Sequence, residues 1–332
     1  MAQITQNFWY KMEIVLYSLG VLVGLCGIIK GADWLVDGSS ALARKFRITE
    51  IVIGLTIVAF GTSMPEFVVS LFAALKGSGD MSVGNIMGSN IFNSLVILGA
   101  TAFVNTVPVG RRALYVDIPW SALAAFLCWL FCFDMFLWPK SENALTRVGA
   151  MAFLLVFAVF MCYNFWLARN SRRAMEVQES TVSNTTIFFQ IVGGLMALII
   201  GGRVMVDCAS NVASLLHVSE AVIALTIVAG GTSAPELVTS IIAARKGKLE
   251  MAIGNAIGSN VFNVFFVLGL AGIITPMHIQ NINQVDLLMF VGGPVLLWLM
   301  AFLFRRINRL MGVVLILVYL VFLMYLVRQV TA

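Results

Sequence analysis

Residues 58–70 read VAFGTSMPEFVVS, and residues 228–240 read VAGGTSAPELVTS. The two stretches belong to a longer repeat, because residues 50–93 and 220–263 align without a gap and agree at 27 of 44 positions. Many of the shared residues are polar although they lie within apolar segments, where residues that only fill space would have diverged. The repeat therefore predicts a functional core built from two copies of one unit.

The composition is that of an integral membrane protein. Of the 332 residues, 60% are hydrophobic and 11% are charged, whereas an ordinary globular domain is roughly 25% charged. The net charge of +5 comes mostly from short loops on one predicted side, so it does not indicate binding to nucleic acid. The five cysteines lie inside apolar segments, without the spacing of a disulfide framework or a metal site.

Hydropathy predicts ten membrane spans, five in each copy. Because five is odd, equivalent helices cross the bilayer in opposite directions, which makes the duplication an inverted repeat. We expect an all-α integral membrane protein with ten transmembrane helices in two inverted five-helix repeats, residues 1–168 and 187–332, joined by a cytoplasmic linker, residues 169–186. The spans are centred on residues 13–43, 49–75, 82–105, 115–138, 147–168, 187–215, 219–245, 252–275, 284–304 and 309–327.

The distribution of Lys and Arg predicts the orientation. With the N-terminus outside, 14 of these residues fall on the cytoplasmic side and 5 on the other, and positive residues concentrate in cytoplasmic loops. We therefore expect a multi-pass protein of the inner (plasma) membrane with both termini on the non-cytoplasmic side. We also expect a monomer.

A proline interrupts the second and the seventh span. Pro65 and Pro235 have no N–H to donate, so each helix should kink or break and release backbone oxygens. At this depth such backbone is tolerated only where it lines a cavity or binds something. Thr62 and Ser63 precede Glu66 by four and three residues, which places hydroxyls and carboxylate on one face.

The third and eighth spans begin with SVGNIMGSNIFN (82–93) and AIGNAIGSNVFN (252–263). Polar residues recur every four positions in each and form a ladder along one helical face; they are Asn85, Ser89, Asn93, Asn255, Ser259 and Asn263. Glycines spaced four apart should let each ladder approach the broken helix closely; they are Gly84, Gly88, Gly254 and Gly258.

Two carboxylates inside the bilayer need a counter-charge. Burying an ionised carboxylate there costs at least ~3 kcal/mol, and Glu66 and Glu236 would repel each other if they met bare. A bound cation removes both costs, and a hard cation fits best because the motifs offer oxygen ligands without His or Cys. Several Na⁺ could replace one Ca²⁺ on the same oxygens, which is what an exchanger needs.

The paired motifs GTSMPE with GNIMGSNIFN, and GTSAPE with GNAIGSNVFN, closely resemble the two alpha-repeats of the sodium/calcium exchangers, prokaryotic members of the cation/calcium exchanger superfamily. The resemblance implies a Na⁺/Ca²⁺ antiporter without a cofactor that exchanges three Na⁺ for one Ca²⁺ by alternating access, extrudes Ca²⁺, and slides its first and sixth helices across a fixed core. The implied ion ligands are Ala59, Thr62, Ser63, Glu66, Ser89, Asn93, Ala229, Thr232, Ser233, Glu236, Ser259 and Asn263. Many relatives carry an aspartate at one of the positions of Asn93 and Asn263, whereas both are asparagine here.

Alternative functions remain open. A proton/cation antiporter of the same superfamily usually carries a glutamate in the helix that reads GNIMGSN and GNAIGSN here, so its absence counts against that function. A cation channel would need no counter-ion gradient. We expect no enzymatic activity: GSGD at residues 77–80 resembles an intramembrane aspartyl-protease motif, but it falls in a predicted loop without a second catalytic aspartate.

Some polar residues have structural explanations too. Glu66 and Glu236 could pair with Lys30 or Arg203, the two cations inside predicted spans. Asp37 and Asp207, which match across the repeat, could cap helix ends or act as gates, and the former is favoured. Asparagines beside the ligand positions could support the ligands or serve only in packing; these are Asn85, Asn90, Asn255 and Asn260.

Overall fold

The computed structural model describes residues 2–133, 143–174, 182–216, 218 and 229–331. In these ranges the chain is almost entirely helical. The helices are α1 (Ala2–Phe46), α2 (Glu50–Thr62), α3 (Met64–Leu75), α4 (Gly79–Val104), α5 (Ala113–Cys132), α6 (Arg147–Ala174), α7 (Asn184–Leu215), α8 (Ala229–Thr232), α9 (Ala234–Arg245), α10 (Leu249–Ile274), α11 (Gln284–Phe304) and α12 (Arg309–Thr331). The strands are β1 (Val107–Pro108), β2 (Ala144–Leu145), β3 (Met277–His278) and β4 (Arg306–Ile307).

The predicted all-helical membrane fold is confirmed. Within the described ranges, 8 helices are long and apolar enough to cross a membrane, and the bent pair α2 and α3 makes 9. The remaining predicted span, the seventh, includes residues 219–228, which lie outside the described part of the chain; α8 and α9 form the rest of it. The order of helices therefore follows the two five-helix repeats.

The fourth span ends earlier than predicted. Helix α5 stops at Cys132, and Phe133 is extended with φ −116° and ψ 152°, whereas the sequence predicted a span to residue 138. The 20 residues of α5 already reach about 30 Å at 1.5 Å per residue, enough to cross the hydrocarbon core. The predicted linker is flanked by helix, because α6 runs to Ala174 and α7 begins at Asn184; the domain boundaries themselves stay a prediction.

Two short antiparallel strand pairs join the repeats. Strand β1 of the first half pairs with β4 of the second, with Val107 opposite Ile307. Strand β2 of the first half pairs with β3 of the second, with Leu145 opposite Met277. Each half thus contributes one strand to each pair, as a two-fold relation between the halves requires.

Helices α4 and α10, which carry the polar ladders, form the centre of the fold. In their most apolar windows 72% and 78% of the residues are buried, against 11% for α1 and 17% for α12. On α10, an added Cβ would lie 2.6 Å from the Ile51 carbonyl oxygen at Gly254 and 2.7 Å from the Leu55 carbonyl oxygen at Gly258. These glycines therefore let α10 approach α2 closely, as predicted. The segment that Gly84 should approach in the same way falls within residues 219–228, outside the described part of the chain. The close approach of α4 to that segment therefore stays a prediction.

The long helices α1 and α7, 45 and 32 residues, pack antiparallel along a stripe of glycines. Gly31 and Gly194 face each other, and an added Cβ on either would lie 2.7 Å from the carbonyl oxygen of the other. Neither helix could keep this separation with a larger residue at that position, since backbone atoms rather than movable side chains stand in the way. The two helices therefore form one tightly packed unit.

Replacing Gly194 with alanine should destabilise the protein, because its Cβ would force α1 and α7 apart. Overpacking of this kind costs about 1–3 kcal/mol. The matched control is Gly193→Ala, which gives the same gain in helix propensity as Gly194→Ala. Its added Cβ would meet only the Trp34 ring at 3.8 Å. Thermal unfolding in detergent should show a lower midpoint for Gly194→Ala than for Gly193→Ala; equal midpoints would contradict the close packing.

Candidate cation site

The two prolines mark breaks in their helices, as predicted. Helices α2 and α3 meet at Ser63 with a bend of 49°, and Ser63 and Ser233 adopt nearly the same conformation, with φ −82° and −88° and ψ 6° and 5°. Each proline lies in the first turn of the following helix, where no N–H is required. Glu66 and Glu236 also lie in these first turns, where the helix dipole favours negative charge.

The glutamates of the two repeats meet at the centre of the protein through crossed hydrogen bonds. Ser63 Oγ donates to Glu236 Oε1 at 2.9 Å, and Ser233 Oγ donates to Glu66 Oε1 at 2.9 Å. Glu66 is 0% exposed and Glu236 is 1% exposed. Each half therefore supplies the hydroxyl that solvates the carboxylate of the other half, and both acids face the protein interior rather than lipid.

Several oxygens around this contact are buried and accept no hydrogen bond within the described part of the chain. They are Glu66 Oε2, Glu236 Oε2, Asn93 Oδ1, Asn263 Oδ1 and Ser259 Oγ. An unsatisfied buried polar atom costs about 1–3 kcal/mol, and more when it is charged. Atoms of this kind, all of them oxygen, are suited to a hard cation that binds among them.

The remaining predicted ligands lie on the helices that form this contact or lead into it. Ser89 Oγ lies 3.4 Å from Glu66 Oε1, and Thr62 Oγ1 donates to Asn255 Oδ1 at 3.1 Å. Thr232 is also buried. The Ala59 carbonyl accepts the Ser63 N–H at 3.0 Å and also lies 3.4 Å from Thr62 Oγ1. Ala229 begins α8.

Two serines that the sequence analysis did not single out support the site. Ser70 Oγ accepts a hydrogen bond from Asn85 Nδ2 at 2.9 Å, and Ser240 Oγ accepts one from Asn255 Nδ2 at 3.0 Å. Each serine follows its glutamate by four residues and matches across the repeat, so the repeat comparison contained the signal that would have found them. The paired asparagines therefore support the broken turns rather than only filling space.

The ladder helices widen where their last predicted ligands lie. Residues Asn93–Ile97 of α4 and Phe262–Leu268 of α10 are π-helical. Turns of this kind occur frequently at functional sites. The widened turns place Asn93 and Asn263 opposite the other ladder helix, where Asn93 Nδ2 donates to Asn260 Oδ1 at 3.1 Å and Asn263 Nδ2 donates to Asn90 Oδ1 at 3.0 Å.

No permanent positive charge neutralises the glutamates in the part of the chain that the structure describes. Lys30 pairs with Asp33 at 3.3 Å, and Arg203 lies 3.7 Å from Asp207. The alternative in which these cations pair with the glutamates is therefore wrong.

The assignment of Asp37 and Asp207 as helix-end caps is also wrong. Helix α1 continues past Asp37 to Phe46, and α7 continues past Asp207 to Leu215. Asp37 Oδ1 lies 2.7 Å from Lys246 Nζ.

The aspartate of the GSGD motif has a structural role. Asp80 accepts backbone hydrogen bonds from Gln280 at 2.7 Å and Asn281 at 3.1 Å, and a further one from the Asn281 side chain at 2.8 Å. It therefore fixes the segment that follows β3, which explains its presence without any hydrolytic chemistry.

Comparison with known proteins places the whole chain in one group. The sodium/calcium exchanger protein family matches residues 16–166 and 186–328. The sodium/calcium exchanger MaX1 of Methanosarcina acetivorans is 31% identical over 94% of this chain and 99% of its own length. The inner membrane protein YrbG of Escherichia coli is 36% identical over 78% of this chain and 80% of its own length.

A solved structure gives the same result. The sodium-calcium exchanger NCX_Mj, soaked with Na⁺ and Sr²⁺, superimposes with a TM-score of 0.79 at 29% identity, covering 93% of this chain and 97% of that one. The resemblance drawn from the alpha-repeats is thus confirmed over nearly the full chain. This protein belongs to the sodium/calcium exchanger family, a membrane antiporter of the cation/calcium exchanger superfamily.

Proposed function

We propose that this chain extrudes Ca²⁺ in exchange for Na⁺ by alternating access, with three Na⁺ entering for each Ca²⁺. The observation that carries the proposal is the set of buried unpartnered oxygens around the crossed glutamates. Ca²⁺ takes six to eight oxygen ligands, and the two carboxylates with the two asparagine oxygens supply most of them. The proposed ligands are the twelve residues named from the resemblance, with Glu66 and Glu236 shared by both ions.

The charge of the site determines how much charge the proposed ion ratio would move. Two carboxylates carry two negative charges, so one Ca²⁺ makes the loaded site neutral, and three Na⁺ leave one net positive charge. One exchange cycle then moves one positive charge inward with Na⁺. The asparagines at positions 93 and 263 are neutral and add no charge to this count.

The two ends of the proposed pathway differ, which supports alternating access. On the predicted cytoplasmic side, Lys246 Nζ lies 2.6 Å from Asp33 and 2.7 Å from Asp37, so it ties α9 to α1. Burial alone would lower the pKa of Lys246, but its hydrogen bonds to these aspartates raise it above the ordinary value, so the lysine stays charged. Helix α1 also packs along α9 on this side.

On the predicted non-cytoplasmic side, the ion pair equivalent to Lys246 with Asp37 is not formed. The equivalent residues, offset by 170, are Lys76 and Asp207, both in the described ranges, and no ion pair joins them. Asp207 is instead 65% exposed beside Arg203, which occupies the position equivalent to Asp33. Helix α7 lacks comparable packing along α3. We infer that the Lys246 side is the closed one in this conformation, and that the reverse state exchanges one ion pair for the other.

Removing either site carboxylate should abolish exchange. In proteoliposomes, Glu66→Gln and Glu236→Gln should each reduce Na⁺-gradient-driven uptake of radiolabelled Ca²⁺ to background, because a single remaining charge cannot neutralise Ca²⁺ in a low dielectric. Glu250→Gln, at an exposed position on α10, is the matched control and should keep the flux. Wild-type flux in either site variant would overturn the ligand assignment.

Membrane voltage should drive the exchange. With Na⁺ and Ca²⁺ equal on both sides of the vesicle membrane, an inside-negative potential should expel Ca²⁺ from vesicles if three Na⁺ enter for each Ca²⁺. A ratio of two would make transport insensitive to voltage, and Ca²⁺ movement without Na⁺ would point to a proton-coupled antiporter or a channel.

Cross-linking should trap each of the two states. On a background without native cysteines, Asp37→Cys with Lys246→Cys, and separately Lys76→Cys with Asp207→Cys, should each react with a short bis-thiol reagent during turnover and stop Ca²⁺ flux. A reagent is needed because the long lysine side chains hold the backbones too far apart for a disulfide. Continued flux after complete cross-linking of either pair would contradict the proposed exchange of ion pairs.

A further inference from the structure

The orientation of one site amide depends on residues behind it. Asn93 Oδ1 is buried without a hydrogen-bond partner in the described chain, while its Nδ2 donates to Asn260 Oδ1 at 3.1 Å. A primary amide can turn over and exchange the places of its oxygen and its nitrogen. Towards a cation the oxygen attracts and the NH₂ group repels, so ion binding requires that one orientation be held.

Asn260 holds that orientation. Its Nδ2 donates to Ser94 Oγ at 2.9 Å and to Ser121 Oγ at 2.8 Å, which uses both amide hydrogens. Its Oδ1 must then face Asn93, where it can only accept. The four side chains in this network are at most 2% exposed, so water does not compete for these bonds.

The two copies differ at this point. The position equivalent to Ser94 is Val264, which has no hydroxyl. On that side Asn90 Nδ2 donates instead to the backbone carbonyl of Asn260 at 3.0 Å. Among the described residues, hydroxyl anchors of this kind are found only behind Asn93, and Ser121 comes from α5, outside the repeated motifs.

We propose that Ser94, Ser121 and Asn260 are positioning residues that hold Asn93 as an oxygen ligand for Ca²⁺. The proposal rests on the proposed function, since it assigns the ion for which the amide is oriented. None of the three touches the ion in this arrangement; they act by making the reversed amide unfavourable, because reversal would leave Asn93 Nδ2 facing the cation. Ca²⁺ should depend on this orientation more than Na⁺, because a divalent ion interacts about twice as strongly with an amide dipole.

Removing the two hydroxyls tests the proposal. The variant Ser94→Ala with Ser121→Ala should raise the Kd for Ca²⁺ by about tenfold, the lower range for supporting residues of a metal site, with a smaller rise for Na⁺. Each single variant should give a smaller rise, since Asn260 keeps one acceptor. The Kd is measured by calorimetry on the purified full chain, and the half-saturating Ca²⁺ concentration and maximal rate by flux in proteoliposomes.

The matched control is Thr101→Ala. Thr101 is a buried hydroxyl on the same helix, α4, away from this network, so its removal should leave the Kd for Ca²⁺ unchanged. An unchanged Kd in the double variant, or a lower maximal rate at constant Kd, would overturn the positioning role. Absence of Na⁺-dependent Ca²⁺ flux in the wild-type protein would instead defeat the proposed function, while Ca²⁺ binding by calorimetry would still decide the role of the serines.

Discussion

Two carboxylates held against each other inside a membrane determine most of this structure. Removing an ion from water costs several kcal/mol even after the protein relaxes, and Glu66 and Glu236 are both almost fully buried. The protein offsets part of that cost with a crossed serine hydroxyl and a helix N-terminus at each acid. It leaves one oxygen of each carboxylate without a donor in the described chain. A permanent lysine or arginine would satisfy those oxygens, but it would also occupy the place that a transported ion must enter and leave.

Much of this arrangement could be predicted from the sequence because the two copies of the repeat occupy equivalent environments and can be compared position by position. Polar residues that persist in both copies within apolar segments indicated the broken helices, the ladders and the two acids. The proline positions predicted the breaks because a missing N–H acts locally, whatever the rest of the fold does. The same logic, extended to Ser70 and Ser240, would have found the residues that support the broken turns.

Other features depend on contacts that neither the repeat nor the hydropathy pattern reveals. Ser94 has valine at its repeat-related position, and Ser121 lies outside the aligned repeat, so comparison of the two copies does not reveal either serine. The pairing of Asp37 with Lys246 joins residues that lie far apart in the sequence, and position alone suggested a helix cap. The end of the fourth span was misplaced because the apolar composition continues beyond Cys132, whereas the helix ends where it has crossed the bilayer.

The crossed strand pairs have a consequence for the covalent connection between the halves. Val107 pairs with Ile307 and Leu145 with Met277, so the halves are held together at two places besides the segment that joins α6 to α7. The serine of each broken turn, moreover, serves the acid of its counterpart. Each half therefore needs the other in order to fold. The main effect of the connecting peptide is that the two halves are made in a one-to-one ratio. A gene cut at that peptide would encode an obligate heterodimer rather than two independent proteins.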